Sequence, residues 1–324
     1  MGGLSGMVTV LSEQAVRESL ELSTLLDTVE EALIRQASGA VERPPRPHFP
    51  IGAGIKGDGT DPLGTGLAMP AYCHGDPYFA TKLVAVNEGN RERGLPTIHA
   101  QIVLTDARTG VPEAVMDGTV ITNARTGCVG GLAVRHLAPE TATLGVLGAG
   151  AQARWQIRAI AEVTSLEQVR IFSPNSRESC AQTLRNEGIP ATAVASPRDA
   201  VTDADAVVTA TTSTEPVFPP DALVPETLVI GIGAYTNEMQ EVPARVLDNA
   251  AAVFADVPES VATIGDLQAS SVRERDLIPL GELFQEGYAG EGSLVVESVG
   301  SAVRDVAAAQ QVYEAVDGGV EVSL

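Results

Sequence analysis

The residues whose spacing points most directly to chemistry are Gly148 and Gly150, followed by Ala153. A short apolar run at residues 144–147 precedes them and a segment of helical character at 151–160 follows, which predicts a strand, a tight turn and a helix. The first glycine permits the turn, the second lets the backbone approach a pyrophosphate, and the alanine lets helix and strand pack closely. The N–H groups and dipole of the helix start favour phosphate. The pattern predicts a dinucleotide site; the alternative is a purely structural turn.

A regular alternation of strand-like and helical segments follows this fingerprint. The predicted strands are residues 169–173, 191–195, 206–210, 228–232 and 252–255. Such an order predicts a doubly wound parallel sheet whose ligands bind at the carboxyl ends of the strands. Those ends carry small or polar residues, namely Gly148, Ser173, Thr211, Gly231 and Gly233.

The end of the second predicted strand bears on the choice of cofactor. An NAD site usually has an acidic residue there to bind the ribose hydroxyls. Here Ser173, Asn175 and Arg177 come first and no acid precedes Glu178. Hydroxyl, amide and guanidinium groups suit a 2′-phosphate. NADP(H) is therefore favoured and NAD(H) remains open, as does the alternative that Arg177 is an exposed helix residue.

The charge balance is strongly acidic. Asp and Glu total 42 against 21 Lys and Arg, a formal net charge of −21. Such a surface disfavours nucleic acid and anionic membranes as partners. With only two lysines, Lys56 and Lys82, and 4% aromatic residues, the composition also indicates a halophilic protein from a salt-rich cytoplasm, where screening weakens self-repulsion.

The first 120 or so residues predict an α+β unit on an antiparallel or mixed sheet. Lys82 lies inside a strand of that sheet, and in a chain so poor in lysine we favour a functional role over an exposed strand position. Arg46 stands between two prolines, which fix an extended path for it. The tail has a strand-like run at residues 294–296, then Gly300, which can lie near a nicotinamide, and a helix expected to return to the first domain.

Other protein classes are disfavoured. No run approaches the ~20 apolar residues of a membrane span, and no signal peptide is evident at the start, so the expected location is cytoplasmic. The cysteines Cys73, Cys128 and Cys180 are scattered and form no CxxC pair, which argues against a disulfide framework or a zinc site. We expect no metal and three small buried side chains.

Further motifs make nearly the whole chain resemble the ornithine cyclodeaminase/mu-crystallin family, which includes archaeal-type alanine dehydrogenases and ketimine reductases. These motifs are Pro45-Arg46, Met69-Pro70-Ala71, Lys82-Leu83-Val84, Gly89-Asn90, Met116-Asp117-Gly118, Ile121-Thr122-x-x-Arg125-Thr126, Gly148-Ala149-Gly150-Ala151-Gln152-Ala153, Ala210-Thr211-Thr212-Ser213 and Ser298-Val299-Gly300. The resemblance implies a Rossmann domain at residues 124–300, inserted into an α+β substrate-binding and dimerisation domain formed by residues 1–123 and 301–324. It also implies a homodimer.

The resemblance implies that Arg46, Lys82 and Arg125 surround the substrate carboxylate as a set of basic side chains. It also implies that Lys82 and Arg125 are catalytic. The chemistry agrees, because arginines grip a carboxylate with forked donors and a lysine crowded by fixed cations loses proton affinity. Met69, with Tyr235 and His99, is a candidate for lining the substrate pocket. The candidate cofactor-binding residues are Thr126, Gly148, Gly150, Ala151, Gln152, Ser173, Asn175, Arg177, Thr211, Thr212, Ser213, Gly231, Gly233, Ser298 and Gly300.

One position separates the chemistries within the family. The resemblance implies that cyclodeaminases carry an aspartate after the fifth strand, where this chain has Tyr235. Glu238 is near enough to be a substitute base, although an exposed capping acid is the favoured interpretation. We therefore expect an NAD(P)-dependent oxidoreductase acting at the C–N bond of a small amino or imino acid. The alternatives are a deaminating cyclase with recycled NAD and a non-catalytic, crystallin-like NADPH-binding protein.

Overall fold

The computed structural model describes residues 6–55 and 61–323, so Lys56 lies outside the described part. The strands are β1 Met7–Leu11, β2 Val41–Glu42, β3 His48–Ile51, β4 Gly64–Cys73, β5 Tyr78–Val86, β6 Ile98–Asp106, β7 Pro112–Asp117, β8 Thr143–Leu147, β9 Gln168–Phe172, β10 Ala191–Ala193, β11 Ala206–Thr209, β12 Leu228–Gly231, β13 Ala252–Ala255, β14 Leu277–Pro279, β15 Leu294–Glu297 and β16 Val320–Ser323.

The helices are α1 Glu13–Ser19, α2 Leu22–Ala37, α3 Gly118–Leu137, α4 Ala151–Val163, α5 Arg177–Asn186, α6 Pro197–Val201, α7 Ala244–Asp248, α8 Pro258–Val261, α9 Gly265–Gln268, α10 Leu280–Glu286 and α11 Ala302–Ala315. Short 3-10 helices lie at Glu88–Arg93, Pro220–Ala222 and Glu274–Asp276.

The chain divides into two compact units. The first comprises Met1–Glu21, Gly39–Arg125 and Ala302–Leu324, and the second comprises Leu22–Ser38 and Thr126–Ser301. This division differs from the predicted one at helix α2, which the predicted boundaries assign to the first domain. The helix groups with the second unit because its apolar face packs against α10 and α4.

The sheet of the first unit is mixed, as predicted. Its strand order is β16-β1-β7-β6-β5-β4-β2, and β3 also pairs with β4. Only β1 and β7 run parallel among these pairs of the described chain. The tail helix α11 packs against β4, β5 and β6 through small buried side chains. Strands β1 and β16 were not predicted from the sequence.

The sheet of the second unit is wholly parallel, in the order β10-β9-β8-β11-β12-β15-β13-β14. The chain runs outward from β8 to β10 and then crosses to β11, so the strand order reverses between β8 and β11. In a doubly wound sheet, ligands bind at the carboxyl ends of the strands beside such a reversal. The predicted Rossmann fold is confirmed.

Two further observations bear on the protein class. The described part of the chain contains no helix long and apolar enough to cross a membrane. The cysteines Cys73, Cys128 and Cys180 are all buried, as predicted.

Candidate active site

The first unit gathers Lys82, Arg125 and Asp305, which we call the basic cluster. Strand β5 carries Lys82, helix α3 carries Arg125, and the tail helix α11 carries Asp305. One oxygen of Asp305, Oδ2, lies 2.7 Å from Lys82 Nζ, and the other, Oδ1, accepts a 2.8 Å hydrogen bond from Arg125 Nε. Lys82 Nζ also donates to Thr122 Oγ1 at 3.2 Å. All three charged side chains are buried, Lys82 with only 2% of its surface exposed.

Burial and the charges of neighbouring side chains together set the protonation of this cluster. Burial, together with the charges of Arg125 and Arg304, lowers the pKa of Lys82 to about 7, although Asp305 opposes the shift. Burial by itself raises the pKa of Asp305, but Arg125 and Lys82 outweigh it and the net shift is downward. A lysine with a pKa near neutrality can both give and take a proton at working pH.

Two other predicted substrate residues are Met69 on strand β4 and Arg46 in the segment between β2 and β3. Met69 is buried and is the direct cross-strand neighbour of Lys82. Arg46 is half-buried, and the carbonyl of Pro47 beside it accepts the amide of Ala68 at 3.4 Å. The backbone therefore holds Arg46 against the segment that carries Met69. The other pocket candidate on this sheet, His99, is exposed on β6.

The fingerprint of the second unit folds as predicted into β8, a turn and α4. Gly148 has φ +119°, and a Cβ there would collide with the Ala210 carbonyl, so the turn needs glycine. Gly150 has ordinary backbone angles and faces open space, where an added Cβ would meet nothing within 4 Å. Among the residues that the structure describes, no side chain forms a capping hydrogen bond at the start of α4. The N–H groups of Ala151 and Gln152 lie in the first turn of α4, where backbone donors can bind a phosphate.

The end of β9 holds its polar residues in a fixed arrangement. Arg177 is half-buried, donates to the Ser173 carbonyl at 2.9 Å, and lies over the Phe172 ring at 5.7 Å. Ser176 adopts a left-handed conformation with φ 63°, and Asn175 is exposed. Arg177 is the first residue of helix α5 and is only partly buried, so its role at a 2′-phosphate stays a prediction beside the alternative of an exposed helix residue.

The ends of β11 and β12 are tied together by Glu241, a residue without a predicted role. Its carboxylate accepts the amides of Thr211 at 2.5 Å and Gly233 at 2.6 Å. Thr211 Oγ1 in turn accepts the amide of Ser213 at 3.1 Å. Thr212 beside them is exposed. The predicted residues after β11 and β12 are therefore brought to one edge of the sheet.

A second acid, Asp256, orders the segment after β15. It accepts hydrogen bonds from Ser298 Oγ at 2.7 Å and from the Gly300 amide at 2.8 Å. Gly300 has φ +94°, a conformation that favours glycine. The predicted contact Thr126 is buried at the start of the second unit, with its carbonyl accepting from Gln156.

Tyr235, which stands where the family resemblance implies an aspartate in cyclodeaminases, is exposed to solvent in the described chain. Tyr235 has 45% of its surface exposed, and Glu238 is exposed as well, in agreement with its interpretation as a surface acid.

Sequence reasoning missed Asp305, Glu241 and Asp256. A signal existed for Asp305, because Arg304 and Asp305 interrupt a helix otherwise rich in buried Ala and Val. A signal also existed for Asp256, because it directly follows the predicted strand at residues 252–255. No comparable local signal marks Glu241, since the amides that it accepts follow other strands.

Comparisons with known proteins agree with the fold. The chain is 34% identical over 272 residues to the Delta(1)-pyrroline-2-carboxylate reductase of Bacillus cereus (strain ZK / E33L), covering 79% of this chain and 83% of the relative. It is 30% identical over 319 residues to the alanine dehydrogenase of Archaeoglobus fulgidus, covering 94% of each.

Among solved structures, the chain is similar to the Thermococcus litoralis Delta(1)-pyrroline-2-carboxylate reductase in complex with NADH and L-proline. The TM-score is 0.88 at 27% identity, over 97% of this chain and 100% of the other. The sequence model of the ornithine cyclodeaminase/mu-crystallin family matches residues 7–319. The fold and site define a dinucleotide-binding protein, and the chain belongs to the ornithine cyclodeaminase/mu-crystallin family.

Proposed function

We propose that the protein is an NAD(P)-dependent oxidoreductase that interconverts a small imino or keto acid and the corresponding amino acid. The observation that carries this proposal is the basic cluster in a chain that also has a dinucleotide-binding sheet. Catalysis of hydride transfer next to a carboxylate needs both a charge clamp and a proton donor, and the chain supplies residues of both kinds.

The charge of the basic cluster favours a carboxylate ligand. Asp305 is one anion shared between Lys82 and Arg125, so these three groups carry one positive charge when Lys82 is protonated. A buried net charge is costly unless it is paired. A substrate carboxylate supplies the missing negative charge, and Arg46 adds a forked donor beside Met69.

Lys82 is the proposed acid. In the reductive direction the reduced nicotinamide, when bound, supplies a hydride to the imine carbon. Lys82 gives its proton to the substrate nitrogen and regains one from solvent, which balances the addition of hydride and proton across the C=N bond. Asp305 and Thr122 fix the ammonium group so that its proton has a defined direction.

The second unit fits a dinucleotide. Gly150 leaves the space that a Cβ would fill, and the start of α4 has no side-chain cap, which is the arrangement that a pyrophosphate needs. Thr211 and Gly300 belong to segments that buried carboxylates hold in place. We propose that the fifteen candidate residues named from the sequence line this cofactor site.

We further propose that NADP(H) is preferred over NAD(H). The support is local: Arg177, Ser173 and Asn175 follow β9, where an NAD site carries an acid. Arg177 is already oriented by the Ser173 carbonyl and the Phe172 ring, so little side-chain freedom is lost when it binds a phosphate.

The test is the stoichiometry of the reaction. The purified protein is supplied with NADPH or NADH and either a cyclic imino acid or pyruvate with ammonia. The proposal expects one amino acid formed for each cofactor oxidised. Release of ammonia from ornithine or lysine with no net change in cofactor would instead identify a deaminating cyclase.

The assembly and the environment of the protein are separate proposals. We propose a homodimer formed through the first unit, whose strands leave Val10, Leu83 and Ile98 at least 40% exposed; light scattering of the purified protein tests it.

We also propose a salt-rich cytoplasm, on the strength of the net charge of −21. Full stability in dilute buffer would exclude the halophilic interpretation.

A further inference from the structure

The carboxyl edge of the second unit's sheet contains a group of buried carboxyl side chains, which we call the acid group: Glu241, Asp256, Asp266 and Glu297. Each has at most 1% of its surface exposed. Within residues 6–55 and 61–323, no Lys or Arg forms an ion pair with Glu241, Asp266 or Glu297. These three buried carboxyl groups therefore have no cationic partner in the described chain, which is unusual for buried acidic residues.

The Glu241 carboxylate accepts three hydrogen bonds, two from backbone amides and one from a side-chain hydroxyl. It accepts the amides of Thr211 and Gly233, and Thr209 Oγ1 donates to it at 3.1 Å. Thr211 and Gly233 follow neighbouring strands, so a single carboxylate fixes two of the loops that border the cofactor site. Asp266 holds Glu241 itself, because its Oδ1 accepts the Glu241 amide at 2.7 Å and the Val242 amide at 2.9 Å.

Glu297 differs from the other three residues. Both of its carboxyl oxygens lack a hydrogen-bond partner among the described residues. It ends strand β15 and lies against Gly231 of the adjacent β12, where a Cβ would contact its carboxyl carbon at 2.7 Å. A lone ionised carboxylate in such a place is not tolerated, because neither water nor a cation compensates its charge.

The electrostatics agree with this geometry. Burial, reinforced by Asp266, Glu241 and Asp256, raises the pKa of Glu297 well above its ordinary value. Burial also raises the pKa of Glu241 to about 7 and that of Asp266 to about 6. The groups that act on Glu297 are all acids, so each added negative charge favours retention of its proton.

We propose that Glu241 is a positioning residue for the cofactor and that Glu297, kept as the neutral acid, prevents repulsion that would drive Glu241 from the two loop amides. This inference rests on the proposed function, because it assigns the loops a cofactor to hold. If Glu297 ionises, Glu241 faces a second charge without a compensating cation. Contacts to Thr211 and Gly233 then weaken and the cofactor binds less tightly.

The first test replaces Glu241 by Gln and measures the affinity for NADH. A carboxamide has one acceptor oxygen, so it keeps one loop amide and places its own N–H groups towards the other. We expect the Kd for NADH to rise about tenfold while kcat at saturating NADH stays within about threefold of wild type. Glu162→Gln, an exposed change on α4, is the matched control. An unchanged Kd in a variant that is merely less stable overturns the positioning role.

The second test replaces Glu297 by Gln and follows the Kd for NADH between about pH 6 and about pH 9. NADH is the probe because a 2′-phosphate itself titrates at about pH 6. Above about pH 7, where Glu241 is ionised, we expect the wild-type Kd to rise with pH and the Glu297→Gln variant to lose that rise, since the carboxamide cannot ionise. A tenfold weaker Kd for the variant at about pH 6 would show that the charged form is required and would overturn the proposal.

Failure of this inference and failure of the proposed function have different signatures. A wild-type protein that binds neither NADH nor NADPH contradicts the proposed function. A wild-type protein that binds and oxidises NADH, with variants of Glu241 and Glu297 that follow the wild-type pH dependence, contradicts only the assignment of the acid group.

Discussion

The two units bury charge in opposite ways. In the basic cluster of the first unit, Asp305 is shared between Lys82 and Arg125 at 2.7–2.8 Å. In the acid group of the second unit, Glu241 is compensated by backbone amides and Glu297 by its own proton. Because the basic cluster has two cations and one anion, its net positive charge favours binding of a substrate anion. In the acid group no net charge is left to attract an ion, because amides and a proton compensate the carboxyl groups. The hydrogen bonds to Glu241 instead fix the loops that carry Thr211 and Gly233.

The largest expected effect comes from removing the proton donor. Lys82→Met keeps the aliphatic stem and leaves Asp305 paired with Arg125, so the fold should survive. We expect kcat to fall by about 10²–10⁴-fold, the usual contribution of a positioned acid, with the Kd for cofactor unchanged. If the wild type shows no turnover while cofactor still stabilises it against unfolding, the protein is the crystallin-like binder.

The next effect comes from breaking the basic cluster at its anion. Asp305→Asn leaves Lys82 and Arg125 buried without a full counter-charge, which costs about 3–5 kcal/mol of unfolding free energy in comparable buried pairs. We expect at least about a tenfold loss of kcat/KM for the imino acid as the ammonium loses its fixed position. Asp317→Asn on the exposed tail of the first unit is the control for a lost negative charge. Equal losses in both variants would mean that Asp305 has no special role.

The fingerprint turn offers a matched pair of glycines in the second unit. Gly150→Ala meets open space and ordinary backbone angles, whereas Gly148→Ala meets the Ala210 carbonyl at φ +119°. We expect Gly150→Ala to keep the wild-type unfolding free energy within about 0.5 kcal/mol and to weaken cofactor binding by about tenfold. Gly148→Ala should instead have a lower unfolding free energy than wild type, because the added Cβ collides with the Ala210 carbonyl. Calorimetry and cofactor titration separate these outcomes, and normal cofactor binding by Gly150→Ala would argue against a pyrophosphate at this turn.

The acid group predicts how stability depends on pH. Glu241 and Glu297 have pKa values above those of the unfolded chain, so their contribution to stability is complete below the unfolded pKa values. The contribution of Glu241 is lost as the pH rises through about 7, and that of Glu297 is lost as the pH rises through its own raised pKa. Trp155, the single tryptophan, lies on α4 and reports unfolding of the second unit by fluorescence. We expect Glu297→Gln to be more stable than wild type at about pH 8, because the glutamic acid must lose its proton on unfolding and the carboxamide does not. A variant less stable than wild type at that pH would contradict a neutral Glu297.

The smallest effect concerns the choice of cofactor. Arg177→Ala should raise the KM for NADPH by about threefold to tenfold, because a partly exposed ion pair with a 2′-phosphate contributes about 1 kcal/mol. The KM for NADH should change little. Equal changes for both cofactors would assign Arg177 to the shape of the β9 end instead of to phosphate recognition.

The sequence predicted the second unit well because its signals are local. The glycine fingerprint and each strand-helix pair are read within a few residues, and Gly148 and Gly150 stand where the pattern put them. The insertion of β15 between β12 and β13 was not predictable, because strand order depends on crossovers and not on local composition. The same holds for β1, which pairs in parallel with the distant β7.

The candidate site follows the same rule. Lys82 was identified because lysine is almost absent from the chain, and Arg125 because a family motif surrounds it. Asp305 lies on the tail helix, 180 residues from Arg125 in the chain, and only the packed first unit brings the two together. The acid group was missed for the same reason, since Glu241 is defined by the amides it accepts from other loops.

The pH dependence of kcat/KM for imine reduction tests the central claim most directly. The reaction consumes the proton of Lys82, whose pKa is lowered to about 7 against the opposing effect of Asp305. The wild-type rate should therefore fall as the pH rises through about 7, and in Asp305→Asn the fall should begin at a lower pH because the ammonium has lost its counter-charge. A fall at the same pH in both proteins, or none in either, would contradict the assignment of Lys82 as the acid that Asp305 holds.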